Sequence, residues 1–106
     1  MVAKLQHMAR MTFLVLGYDG VDAEAPARRA AARPAHLATA KRLKAAGHFL
    51  EGGAMLDDAG QMRGSMMLME FPSRAELDAW LSSDAYTVGG VWKDVTVRDF
   101  RRAQLD

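Results

Sequence analysis

The chain reads as an α+β domain in which a four-stranded antiparallel sheet carries two helices on one face. Apolar runs rich in β-formers recur at Met11–Tyr18, His48–Asp57, Met62–Phe71 and Trp92–Phe100. Segments of helical spacing separate the first run from the second and the third from the fourth. The order strand, helix, strand, strand, helix, strand is that of the ferredoxin-like split unit, βαββαβ. In the central strands Phe13 and Val15 alternate with Leu14 and Leu16, and Met67 and Met69 with Met66 and Leu68, so both faces are apolar. A sheet wetted on one side alternates with polar residues instead, and the second face therefore calls for a cover. An identical sheet in a symmetric homodimer is the simplest one.

Each element has a local reason. Gly17-Tyr18-Asp19-Gly20 ends the first strand. The Asp22–Ala32 stretch favours helix by its alanines but supplies almost no large side chain for packing, which predicts a loose turn or arm. Pro34 then opens a new helix, because proline suits a first turn and disfavours the α conformation in the residue before it. Leu37, Ala40 and Leu43 form its narrow apolar face, and Gly47 stops it with Lys44 near the negative end of the dipole. Gly52-Gly53 interrupts the second strand and predicts a bulge or a close approach by another group. Asp57-Asp58-Ala59-Gly60-Gln61 is turn chemistry that folds strands two and three into a hairpin. After Pro72, Ser73-Arg74-Ala75-Glu76 is a capping box that starts the second helix. Leu77, Trp80 and Leu81 give it an apolar face; it ends near Ser83, and Asp84-Ala85-Tyr86 begins a short turn before Gly89-Gly90. Val95 and Val97, alternating with Asp94, Thr96 and Arg98, mark a half-buried last strand.

At 106 residues, half of them apolar, the chain holds one domain, over residues 11–102, with an N-terminal extension at 1–10 and a tail at 103–106. Fourteen basic and thirteen acidic residues nearly cancel, and without a basic stripe and interleaved aromatics no nucleic-acid partner is expected. Having no cysteine, the chain has no disulfide framework, thiolate nucleophile or cysteine-based metal site, which fits a reducing cytoplasm. The opening residues lack the apolar core of a secretory signal and no later segment is long enough to span a bilayer, so no membrane partner is expected. Gly17-Tyr18-Asp19-Gly20 has neither the lysine nor the helix of a phosphate loop, and no bound cofactor is expected.

The candidate chemistry lies in Arg33-Pro34-Ala35-His36-Leu37 and Ser83-Asp84-Ala85-Tyr86. His36, placed in a first turn, would be kept neutral by the positive end of the helix dipole and so able to accept a proton; the plainer alternative is a polar residue at a helix start. Asp84 precedes a short helical turn, a preferred N-cap position, and a carboxylate has lone pairs enough to cap and also to receive an imidazole N–H. In that arrangement it orients His36 and stabilises the imidazolium formed on proton abstraction. The pair falls short of the three protein ligands of a catalytic zinc, and no metal is expected. Arg33 is either a counter-charge for an anionic substrate or simply solvated, Gly53 permits close approach of a ligand or marks a bulge, Ser65 offers a hydrogen bond, and Tyr86 and Trp92 wall a pocket or a core. The Met66, Met67, Met69 cluster reads as core and interface packing, His7 as part of a frayed start and His48 as a strand opening.

Taken together, Arg33-Pro34-Ala35-His36-Leu37, Gly52-Gly53-Ala54, Gly64-Ser65, Asp84-Ala85-Tyr86 and Gly89-Gly90-Val91 make the chain resemble the YCII-related (YciI-like) family of dimeric α+β barrel proteins over Met11 to Arg102. The resemblance implies a catalytic His36–Asp84 pair in a cleft. One related group is a dehydrochlorinase acting on a chlorinated hydroxyhydroquinone, which implies proton transfer in a lyase-like elimination or isomerisation on a small aromatic or chlorinated substrate. This chain has Ala85 where the family usually has proline, leaving the Asp84 turn less rigid, and its Asp22–Arg33 segment is longer and richer in alanine than in compact members. Readings from other classes are a non-catalytic module that binds or senses a small ligand and a subunit that associates with a larger enzyme.

Overall fold

The computed structural model describes residues 10–105, so His7 and nearly all of the expected extension lie outside the described residues. The elements are β1 (Met11–Asp19), α1 (Ala25–Ala45), β2 (Phe49–Leu56), β3 (Met62–Phe71), α2 (Arg74–Ser83), α3 (Ala85–Val88) and β4 (Trp92–Asp99). The sheet order is β2-β3-β1-β4, with every pair antiparallel. This is the predicted ferredoxin-like arrangement. The register pairs Phe13 with Met69, Val15 with Met67 and Gly17 with Ser65, so one side chain in two points toward the helices. There Phe13, Val15, Met67 and Met69 pack with Phe71, Leu77, Trp80, Tyr86, Val91 and Trp92 in one core. The opposite face carries Leu14, Leu16, Met66 and Leu68, the first three only half-buried.

The first helix departs from expectation. There is no separate arm followed by a helix that opens at Pro34: one helix runs from Ala25 to Ala45 with Pro34 inside it. Pro26 takes the first-turn role instead. Pro34 removes the donor that Ala30's carbonyl would otherwise receive, but Pro34 and Ala30 are both exposed, so water reaches the orphan group. The alanine-rich half lacks large apolar side chains, as read, and is held by a buried cation, Arg29. His36 therefore sits mid-helix, and the dipole argument for its neutrality does not apply. The helix ends as predicted at Gly47, whose φ is +84°. Gly47 N–H donates to Lys44 O at 3.1 Å and His48 N–H to Leu43 O at 2.8 Å, the paired bonds of a Schellman motif.

In β2 the irregularities fall between Phe49 and Glu51 and between Met55 and Leu56, not at the glycine pair. Gly52 is needed for a different reason: a Cβ there would strike the Phe49 ring and come within 2.9 Å of the Met66 carbonyl. In the β2–β3 turn Asp57 Oδ1 accepts from Ala59 N–H at 2.9 Å and Gln61 N–H at 3.0 Å. Ser73 Oγ accepts from Glu76 N–H at 3.2 Å, so the capping box forms. Among the described residues no helix is long and apolar enough to cross a membrane.

Candidate active site

Two junctions meet beside the helix-covered face of the sheet. α1 presents Arg29, Arg33 and His36 on successive turns, and the break between α2 and α3 presents Asp84 and Tyr86. That break exists because Asp84 has an extended backbone (φ −63°, ψ 145°). It closes α2 with its own N–H, donated to Trp80 O at 3.0 Å, and opens α3 with its side chain, which accepts from Tyr86 N–H at 3.0 Å. The expected cap is therefore real, and it does not exhaust the carboxylate. Asp84 Oδ1 accepts from Trp80 Nε1–H at 3.2 Å, and Oδ2 lies 2.7 Å from His36 Nδ1.

Both partners are removed from solvent: Asp84 is 2% and His36 7% exposed. An ionised carboxylate only accepts, so the proton between them belongs to His36 Nδ1. Nε2 meets no hydrogen-bond partner among the described residues. The imidazole is further fixed by Tyr86, stacked on it with ring centroids 3.8 Å apart and planes at 10°, and by the edge of Trp92 at 5.8 Å. An imidazole held in one orientation against a carboxylate is an arrangement that proton transfer can use.

Beside the dyad lies a second network that sequence reasoning missed. Arg29 grips Asp19 with Nε (2.7 Å to Oδ2) and Nη2 (3.2 Å to Oδ1). Its remaining reach goes to Ser65 Oγ at 2.7 Å and to the Tyr86 hydroxyl at 3.2 Å, with the guanidinium 4.6 Å from the centre of the Tyr86 ring. Trp92 Nε1–H also donates to Ser65 Oγ, at 3.1 Å. Gly17 makes this contact possible, since a Cβ at that position would sit 2.6 Å from the Trp92 indole nitrogen. Burial pushes the Tyr86 hydroxyl above its ordinary pKa, against the pull of the positive Arg29 and Arg33, so at neutral pH it is a neutral donor.

The two networks line one cavity of about 110 Å³, bounded by Arg29, Arg33, His36, Gly53, Ser65 and Tyr86 with apolar walls that include Phe49 and Met67. Its size suits a compound of roughly one ring. All six residues singled out from the sequence as site candidates except Asp84 touch it, and Asp84 stands directly behind His36. Arg33 is exposed and has no ion-pair partner among the described residues. The signal for Arg29 was its helical spacing: residues 29, 33, 36 and 40 fall on one face of an unbroken helix. Breaking the helix at Pro34 hid it. Asp19 carried no signal, since its partner is ten residues away across a loop. His48 stays outside the site, stacked on Phe71 at 4.5 Å with its Nδ1–H on Glu70 O at 2.8 Å. Among the described residues no three His, Asp or Glu side chains converge as a metal set.

Comparison with known proteins agrees with the fold. Protein YciI of Escherichia coli is 32% identical over 98 residues, spanning 87% of this chain and 98% of the relative. Among solved structures, 5-chloro-2-hydroxyhydroquinone dehydrochlorinase from Burkholderia phenoliruptrix, in complex with 2,5-dihydroxybenzoquinone, superposes with a TM-score of 0.76 at 28% identity, covering 88% of this chain and 96% of that one. A dimeric protein of unknown function and ferredoxin-like fold from Bacteroides fragilis shares the fold alone, with a TM-score of 0.52 at 10% identity over 89% of this chain and 97% of that one. The model of the YCII-related domain matches residues 11–101, and the chain belongs to that family.

Proposed function

We propose that this protein is a small-molecule enzyme in which His36 and Asp84 transfer a proton in a lyase-like elimination or an isomerisation of a small oxygen-bearing ring. The observation that carries the reading is the 2.7 Å contact between His36 Nδ1 and an Asp84 carboxylate already anchored by Trp80 and Tyr86. His36 Nε2 takes the proton and Asp84 stabilises the imidazolium that results. In a dehydrochlorination the electron pair of the broken bond to hydrogen forms a new π bond and chloride leaves with its own pair. Hydrogen chloride is lost and no oxidant is required. Arg33, the backbone at Gly53 and the hydroxyls of Ser65 and Tyr86 hold the substrate. Similarity to a dehydrochlorinase that binds 2,5-dihydroxybenzoquinone supports a ring with several oxygens as the ligand class. The same reading includes a homodimer closed through the open sheet face.

The test offers 5-chloro-2-hydroxyhydroquinone to purified protein and follows chloride release. Wild type is expected to turn over, and His36→Ala and Asp84→Asn to lose about 10²-fold or more while keeping their circular dichroism and mass in solution. Equal turnover in both variants would remove the dyad from the reaction. Saturable binding by wild type without chemical change would favour a ligand-binding module.

A further inference from the structure

The hydrogen bonds around Ser65 do not balance. Ser65 is 3% exposed, and its hydroxyl oxygen accepts from Arg29 Nη2–H at 2.7 Å and from Trp92 Nε1–H at 3.1 Å. Both lone pairs are thereby used. Its own proton has no acceptor among the described residues. The Tyr86 hydroxyl likewise accepts from Arg29 Nη1–H and has nothing of the protein to donate to among those residues. Asp19, Ser65 and Tyr86 occupy four of the N–H groups of Arg29, which leaves the second proton on Nη1 open, because a guanidinium carries about five. No carboxylate is among the residues that line the cavity. Buried donors are normally matched by protein, water or ligand, and these line the cavity, where an acceptor on a bound ligand reaches them.

We propose that Ser65, polarised by Arg29 and aligned by Trp92, forms an oxyanion seat for one ionised oxygen of the substrate in the cavity it shares with His36. This rests on the proton-transfer reading above and sharpens its substrate class to small cyclic phenols and enols that react through their keto tautomers, with the negative charge held on oxygen as phenolate or enolate. When His36 Nε2 removes a proton from carbon, the C–H pair becomes a C=C bond and the carbonyl π pair moves onto oxygen. Ser65 donates a hydrogen bond to that oxygen without giving up its proton. In the elimination the pair on oxygen re-forms the carbonyl, the C=C pair shifts to form a double bond to the neighbouring carbon, and the leaving group departs from that carbon with the pair of its own bond. Arg29 does not touch the reacting atoms in this scheme; it positions Ser65 and leaves its hydroxyl no role but donor.

The test uses 4-nitrophenol, whose phenol and phenolate absorb at different wavelengths, in a His36→Ala background so that the imidazole cannot take the proton. The His36→Ala protein is expected to bind the phenolate roughly tenfold more tightly than the phenol, as one hydrogen bond to a charged oxygen supplies, and to lower the pKa of the bound probe accordingly. Adding Ser65→Ala should abolish the preference while phenol binding persists. An unchanged preference, or no phenolate preference in the parent, overturns the proposal. Should Ser65→Ala fail to fold, Ser65→Cys keeps the shape with a weak donor, and an undiminished preference there overturns it equally. Turnover is read separately in the protein that retains His36. A phenolate preference without turnover rejects the enzyme and keeps the seat, whereas turnover dependent on His36 without the preference rejects the seat alone.

Discussion

At the scale of single residues, the site is governed by the number of bonds each buried polar atom can make. Asp84 caps a helix and holds the His36 ring at once because a carboxylate accepts several donors, and each of its three neighbours supplies one: an indole, an amide and an imidazole. Tyr86 offers a direct check. Burial raises its pKa above the ordinary 10.0. The native state then holds the phenolic proton more tightly than the unfolded chain does, so the stabilisation is complete below pH 10.0 and is lost as pH rises through the raised native value. Thermal melts at pH 8 and pH 11 should therefore show wild type losing more stability than Tyr86→Phe over that interval. Parallel losses would mean that the hydroxyl titrates as if exposed.

At the scale of elements, α1 is where local propensity and tertiary structure disagree. Proline inside a helix costs about 3 kcal/mol relative to alanine, and the Asp22–Ala32 half has no apolar stripe of its own. The helix persists because Arg29 is tied to Asp19 of β1, Ser65 of β3 and Tyr86 of α3. Replacing Pro34 by alanine restores the missing donor at an exposed site. It should stabilise the fold by about 1–3 kcal/mol after the opposing gain in unfolded-chain entropy, measured by urea denaturation. No gain would show that the helix is already kinked to suit the ring. The glycine pair of β2 teaches a similar lesson: Gly52 reads as a bulge signal, but the register shifts fall on either side of the pair and the glycine makes room for the Phe49 ring. A glycine reports that something comes close without naming it.

For the whole molecule, the sheet is finished on one side only. Leu14, Leu16, Met66 and Leu68 form a contiguous apolar patch opposite the helices, and only Leu68 is buried within the chain itself. The homodimer reading makes this patch the interface. Leu16→Glu should then shift the mass by light scattering from dimer to monomer while leaving the core strands paired, and an unchanged mass would place the interface elsewhere. The strand order, the hairpin and the capping box were legible in the sequence because alternation, turn chemistry and cap preferences act over a few residues, whereas the His36–Asp84 pairing, between residues 48 apart, was read from the resemblance to a family. The continuity of α1, the role of Arg29 and its partner Asp19, and the unmatched Ser65 proton were decided only by tertiary structure. A buried ion pair and a saturated hydroxyl are properties of three-dimensional neighbours, and no local pattern encodes which charge will be drawn inside to balance another.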